Sequence, residues 1–112
     1  MRVNLLKETI EDLKANGRTE ADVLWVGRNY IDYKNYPNRV YVPYKSTWED
    51  FCSKADFFYD AGYGSPEIPM DLIVVGKDFW LERHEYDGSE WWEFKIMPVE
   101  PEETRELILD RY

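Results

Sequence analysis

The clearest pattern of apolar and polar positions lies in residues 79–96, where two alternating runs flank the dipeptide Asp87-Gly88. Alternation with a period of two is typical of a strand with one buried face, and Asp-Gly favours a two-residue type I′ turn. The segment therefore predicts a β-hairpin. A two-residue turn keeps the apolar residues on one face, whereas a three-residue loop would divide them between both faces. The predicted pairs are Leu81 with Phe94 and Phe79 with Ile96.

The same register determines what lies on the second face of the hairpin. Glu82 falls opposite Glu93, with His84 on the diagonal, and directly opposed like charges are mildly unfavourable in a sheet. His84, Lys95, a metal ion or a basic partner could neutralise the two carboxylates. Of these four possibilities, a metal ion has the least support, because the chain has a single His and none of the usual zinc-ligand spacings. We predict no metal site and no cofactor.

Aromatic residues accompany these charged groups. Rigid rings beside carboxylates are typical of protein contact patches. The alternative is a solvated outer face whose surface ion pairs contribute little. The candidate binding residues on the hairpin are Trp80, Glu82, His84, Tyr86, Trp91 and Glu93.

Residues 28–45 are unusual because they combine five tyrosines, three asparagines and four basic residues in an otherwise acidic chain. Tyr, Asn and Arg are typical of adaptable contact surfaces. One interpretation is a binding loop, with the candidate residues Tyr30, Tyr33, Tyr36 and Arg39. The other is a long β-hairpin that turns near residues 35–38, whose returning strand lies at a sheet edge because it contains Pro43.

Helical spacing predicts two main helices. The first spans residues 4–16, with Asn4 as its N-cap and an apolar stripe of Leu6, Ile10 and Leu13. The second spans residues 47–56, with Thr47 as its N-cap and acidic residues in its first turn. A third, short helix is predicted over residues 102–111, although its apolar stripe is weak.

Two further apolar runs predict strands. Residues 23–26 read as a short buried strand that Gly27 ends, and residues 71–75 read as a strand that precedes the hairpin and forms a meander with it. The whole predicts one α+β domain over residues 1–112. It has an antiparallel sheet of four to five strands, two main helices on one face and a short C-terminal helix.

Composition and charge exclude several classes of function. The 112 residues are 44% hydrophobic and 17% aromatic, which is typical of a folded domain rather than a disordered chain. The net charge of −9 disfavours direct binding to nucleic acid, which depends on Lys and Arg that neutralise phosphates. No apolar run is long enough to span a membrane. The single Cys52 allows no internal disulfide and fits a reducing cytoplasm.

Three segments carry a resemblance to a known group. They are residues 75–95 (VGKDFWLERHEYDGSEWWEFK), 19–27 (TEADVLWVG) and 47–64 (TWEDFCSKADFFYDAGYG). The chain resembles small uncharacterised proteins encoded by bacteriophages and prophages, with residues 30–43 as a variable part. The resemblance implies a protein made in a bacterial cytoplasm during infection or lysogeny. By analogy, small acidic phage proteins often act by binding a host protein. The resemblance carries no activity and no functional residues.

Three functions remain open from the sequence. The first is a non-enzymatic protein that binds another protein, with DNA mimicry as a special case that the mixed charges do not favour. The second is a small enzyme or metal-binding protein that uses Glu82, His84 and Glu93, because a His between carboxylates can act as a general base. The third is a structural homo-oligomer such as a homodimer, which is compatible with the first. We predict no catalytic residues.

Overall fold

A computed structural model describes residues 1–32 and 40–109. In these ranges it contains two α-helices, one 3-10 turn and seven strands. They are, in chain order, β1 (Arg2–Asn4), α1 (Leu5–Ala15), the 3-10 turn (Glu20–Asp22), β2 (Val23–Asp32), β3 (Val40–Ser46), α2 (Trp48–Ala55), β4 (Phe58–Asp60), β5 (Ile73–Gly76), β6 (Phe79–Tyr86) and β7 (Ser89–Ile96).

The strands form two antiparallel sheets. The larger has the order β3-β2-β5-β6-β7, and the smaller pairs β1 with β4. The predicted α+β class and the C-terminal meander are therefore confirmed. The sheet register places one row of apolar residues on the same face, and both helices pack against this face to form the core. The row consists of Val26, Val74, Leu81 and Phe94.

The hairpin of β6 and β7 has the predicted register. Leu81 pairs with Phe94, and Glu82 pairs with Glu93. Asp87 and Gly88 have φ angles of 48° and 85°, as a type I′ turn requires at both central positions. The alternation of apolar and polar residues was sufficient to predict this register, because the two strands are adjacent in the chain.

The two main helices are confirmed, but the inward face of α1 differs from the prediction. Asn4 and Thr47 cap α1 and α2 by accepting hydrogen bonds from the backbone N–H groups of Lys7 and Asp50. The buried residues of α1 are Leu5, Thr9 and Leu13, whereas Leu6 and Ile10 of the predicted stripe are only partly buried. The helix is therefore rotated so that a hydroxyl, and not an isoleucine, faces the sheet.

The predicted end of β2 and the predicted C-terminal helix are both wrong. β2 does not end at Gly27 but continues to Asp32 and pairs with the edge strand β3, which contains Pro43. The C-terminal helix is absent from the described part of its range, because residues 102–109 have no regular structure. A helix of about ten residues is marginal in water without a surface to pack on, and every residue from 96 to 109 is exposed.

Part of the tyrosine-rich segment lies outside the description. Tyr33, Tyr36 and Arg39 fall in residues 33–39, and only the backbone of Tyr30 is described, in β2 opposite Val42. Their proposed role in binding stays a prediction. Among the described residues, no helix is both long enough and apolar enough to cross a membrane.

Candidate functional site

The face of the five-stranded sheet opposite the helices is the candidate site, and we call it the open face. Directly paired residues of neighbouring strands share a face, so one row runs from Trp25 through Val75 and Trp80 to Lys95. Both helices pack on the other side, and residues 96–109 are all exposed, so none of these elements covers the open face. Its remaining members are Ile73, Glu82, His84, Trp91 and Glu93.

Gly27 gives Trp25 its position on this face. A Cβ atom at residue 27 would lie 2.6 Å from the Trp25 ring and 2.7 Å from the backbone oxygen of Tyr44. The indole therefore lies over the bare backbone of Gly27 within β2. Gly27 is thus needed for the shape of the open face and does not end the strand.

His84 bridges the two carboxylates that the register brings together. Its Nε2 lies 2.6 Å from Glu82 Oε2, and its Nδ1 lies 3.3 Å from Glu93 Oε2. Lys95 Nζ lies 3.1 Å from Glu93 Oε1 and adds a positive charge. The predicted opposition of Glu82 and Glu93 is therefore relieved by side chains of the same hairpin, and no bound ion is needed for it.

The tryptophans of the hairpin are held by the same carboxylates. Trp80 Nε1 donates a hydrogen bond of 2.6 Å to Glu82, and Trp91 Nε1 donates one of 3.3 Å to Glu93. The bonds from Trp80 and then His84 lower the pKa of Glu82, and the bond from Lys95 contributes most to a lowered pKa of Glu93. Both carboxylates therefore stay ionised near neutral pH and fix the two indole rings.

The cluster of Glu82, His84 and Glu93 offers few of the free side-chain groups that catalysis or metal binding requires. Both ring nitrogens of His84 already face a carboxylate, so neither points toward a substrate. Within residues 1–32 and 40–109, no group of three or more His, Cys, Asp or Glu residues is arranged to hold a metal ion. Tyr86 shares this face of β6 but lies at the tip of the hairpin, where 76% of it is exposed.

A second polar cluster lies in the core, and the sequence interpretation missed it. The Arg83 guanidinium is buried between Glu90 at 2.9 Å, Glu8 at 3.2 Å and the Tyr59 hydroxyl at 3.1 Å. It also lies 4.8 Å from the ring centroid of Trp92. The sequence contained one signal for this cluster, because the alternation along β6 places Arg83 on the same face as Phe79 and Leu81.

Glu90 extends the cluster into the loop before β5. Its carboxylate accepts hydrogen bonds from the backbone N–H groups of Glu67 and Ile68, at 2.6 and 3.2 Å. Burial raises the pKa of the Tyr59 hydroxyl, so it remains protonated and donates to Glu8. The cluster joins α1, β4, β6, β7 and the loop, and we assign it to stability.

A cavity of about 420 Å³ opens on the helical side of the sheet, and we call it the α2 pocket. It lies between α2, β2, β3 and the segment that enters β5. Its floor is apolar, with contributions from Leu5, Val26, Phe51 and Ala55. Its charged lining residues are Arg28, Lys45, Asp50 and Lys54. This volume is within the range of sites that hold small molecules or a few side chains.

Comparison of the chain with protein-family models, with curated proteins and with solved structures finds no match.

Proposed function

We propose that the protein acts by binding another protein through the open face. The observation that carries this proposal is the set of Trp25, Trp80 and Trp91 on a sheet surface that neither helix covers. Ile73 and Val75 form an apolar area with Trp25 and Trp80, and Trp91 lies beyond the charged residues of the hairpin. Tryptophan is enriched among the residues that dominate binding energy in protein interfaces.

The rigidity of the rings supports this use of the surface. Trp80 and Trp91 are each anchored by a hydrogen bond to a carboxylate. A side chain that is already ordered loses less conformational entropy on binding, so it contributes more to affinity. The charged residues Glu82, His84, Glu93 and Lys95 border the apolar area on the side of β6 and β7, and polar residues beside an apolar centre are common in protein interfaces.

Charge indicates the kind of partner. The chain has a net charge of −9, and the pKa values of Glu82 and Glu93 are lowered, which keeps both negative. A partner with a basic surface would associate faster and in the correct orientation, and salt would slow this association. The resemblance to bacteriophage and prophage proteins supports a host or phage protein in a bacterial cytoplasm as that partner.

A pull-down from bacterial lysate tests the proposal. Tagged protein is compared with Trp80→Ala, which removes a ring from the open face, and with Tyr63→Ala, which removes an 81%-exposed ring elsewhere. We expect the parent and Tyr63→Ala to recover the same protein, which Trp80→Ala loses and high salt releases. Equal recovery by all three proteins, or no recovery by any, would contradict the assignment.

Within residues 1–32 and 40–109, the enzyme hypothesis has its geometric support in His84, because a His between carboxylates can transfer protons. Both of its nitrogens are engaged within the hairpin, however, so we do not propose catalysis. If His84→Ala abolished an activity that the parent protein showed, this judgement would be reversed.

A further inference from the structure

β7 lies at one edge of the five-stranded sheet, next to β6. Alternate residues of an antiparallel strand direct their N–H and C=O groups to opposite sides. Met97, just past the strand, donates to the backbone oxygen of Asp78 at 2.7 Å, on the side of β6. Glu90 donates to the backbone oxygen of Ala61 at 2.8 Å, and Ala61 lies outside the sheet. The even-numbered residues of β7 therefore direct their backbone groups to its outer side.

The outer edge of β7 is unpaired over its middle and blocked at both ends. At one end the N–H of Glu90 is already bonded, and at the other end Pro98 has no N–H. Between them lie Trp92, Phe94 and Ile96. No hydrogen bond joins the outward N–H groups of these residues to another part of residues 1–32 or 40–109. The unpaired edge is therefore centred on Phe94, and such an edge is a template for a further strand.

Every copy of the chain carries this edge, so two copies can pair their edges about a two-fold axis. The registers that keep the edge paired place the axis at residue 93, 94 or 95. An axis at Glu93 or at Lys95 sets that residue against itself, and directly opposed like charges are destabilising. An axis at Phe94 instead sets Glu93 of each copy against Lys95 of the other, and their contact within each strand can persist. It also sets Glu90 against Pro98, so the residues without a free N–H meet at the ends of the paired segment.

We propose that two copies of this chain form a dimer in which their β7 strands pair antiparallel about a two-fold axis at Phe94. Phe94 pairs with Phe94, and Trp92 of each copy pairs with Ile96 of the other. Residues in such pairs exchange both backbone hydrogen bonds, so the outward N–H groups are satisfied. The two sheets become one continuous sheet with both open faces on the same side. This self-association does not depend on the function proposed above.

The condition of β7 favours a second copy as its partner. Ile96 is 57% exposed at the end of the strand, and the dimer covers it with Trp92 of the second copy. β7 is already an ordered strand in each copy, so pairing orders little further backbone, whereas a disordered segment would lose entropy on binding. The opposite edge of the sheet is less suited, because Pro43 removes an N–H from the outer side of β3.

The first experiment measures mass against protein concentration by sedimentation, using the full chain. We expect the parent to pass from one copy to two as its concentration rises. Ile96→Pro removes an outward N–H and leaves the bonds between β6 and β7 in place. It should weaken the dimer by about tenfold or more, because the symmetry removes this hydrogen bond twice. The matched control Glu100→Pro, in the exposed residues after β7, should dimerise like the parent.

A mixing experiment tests the register and separates pairing from misfolding. Glu93→Lys opposes two cations across the axis, and Lys95→Glu opposes two carboxylates, so each variant alone should dimerise about tenfold more weakly than the parent. A mixture of the two variants restores opposite charges at both positions and should form a heterodimer. Glu100→Lys and Lys77→Glu make the same charge changes at exposed positions away from this edge, and both should dimerise like the parent.

Amide hydrogen exchange, followed by NMR, identifies the strand in the interface. The N–H groups of Trp92, Phe94 and Ile96 should exchange rapidly in dilute protein and slow down at concentrations where the dimer forms. The N–H groups of Trp91 and Glu93 point to β6 and should be protected at both concentrations.

The proposal is overturned by a parent that remains monomeric at every concentration, by a mixture that forms no heterodimer, or by a dimer whose outward β7 amides stay unprotected. Protection of these amides only after a lysate protein is added would assign the edge to that protein and would also overturn it. Trp80→Ala should dimerise like the parent, so failure of this proposal can be distinguished from failure of the open-face assignment.

Discussion

At the scale of single residues, Arg83 is the cation at the centre of the buried polar cluster. It is 5% exposed and balances the buried Glu90, which is 4% exposed. A buried ion pair adds little over apolar packing, but removal of one partner leaves an uncompensated charge. The role of Arg83 in stability can therefore be tested by deletion of its charge.

We expect Arg83→Met to lower the free energy of unfolding by about 3–5 kcal/mol, because it leaves Glu90 buried without its cation. Urea denaturation measures this change. Arg105→Met is the matched control, because it lies in the exposed residues 98–109, which we call the tail, and it should change stability by less than about 0.5 kcal/mol. Arg83→Met combined with Glu90→Gln should recover part of the loss. A loss below about 1 kcal/mol in Arg83→Met would show that the pair is not needed.

Asp12 on α1 gives a prediction about pH. Burial, followed by the nearby Glu8, raises the pKa of Asp12 from 3.8 to about 6. The folded state then holds a proton on Asp12 more tightly than the unfolded state does, so Asp12 makes stability fall as the pH rises from about 4 to about 6.

Asp12→Asn removes this titration. Because Asp12 is partly solvated, we expect a gain of about 1 kcal/mol at pH 7, below the ~3 kcal/mol that the full shift implies. Near pH 4 the difference from the parent should largely vanish. Denaturation at both pH values measures it, with Glu102→Gln in the tail as the control. A variant that is less stable than the parent at pH 7 would contradict the sign.

Single residues also show where sequence reasoning reaches its limit. Leu6 and Ile10 have helical spacing, and yet they are only partly buried while Thr9 is fully buried. Its hydroxyl donates to the backbone oxygen of Leu5 at 2.7 Å and accepts from Trp92 Nε1 at 2.9 Å. Periodicity could not find this contact, because its partner is 83 residues away.

At the scale of elements, local signals predicted the hairpin of β6 and β7 but not the length of β2. Alternation and the Asp87-Gly88 turn determine the register between adjacent strands. These two signals alone are enough to place Glu82, His84 and Glu93 together. The prediction that Gly27 ends the strand is wrong. The sequence alone does not distinguish a glycine that leaves room for a neighbouring ring, as Gly27 does for Trp25, from a glycine in a turn.

Gly27→Ala tests this explanation of β2. The new Cβ would press on the Trp25 ring and on the backbone oxygen of Tyr44, so we expect a loss of about 1–3 kcal/mol in the free energy of unfolding. Gly62→Ala is the matched control, because its nearest neighbour would lie 3.8 Å away, and it should be close to neutral. Thermal or urea unfolding measures both variants, and equal stability would contradict the crowding.

At the scale of the whole molecule, the chain is more extended than its length requires. Its Cα radius of gyration is 17.2 Å, against about 13 Å for a compact domain of this length. The tail accounts for part of this, because it leaves β7 and all its residues are exposed. The predicted helix is absent from residues 102–109, where it would have no surface to pack on, and a helix of about ten residues is marginal in water without one.

The same exposure predicts that the tail contributes nothing to the stability of the monomer. We expect a chain that ends at residue 97 to have the unfolding free energy of the full chain, as urea denaturation would measure it. Ile68→Ala provides the contrast. Ile68 also lies in an irregular segment, but it is 2% exposed, so the substitution should cost about 2–4 kcal/mol.

If the shortened chain were as unstable as Ile68→Ala, the tail would pack on its own domain, and the exposure of its residues would be contradicted. A loss below about 0.5 kcal/mol is the result expected here, because the stabilisation that an apolar side chain gives is proportional to the area that it withdraws from water. Leu107, Ile108 and Leu109 are 78, 63 and 80% exposed, so their removal gives up little of that area, whereas truncation of Ile68 leaves a cavity in the core.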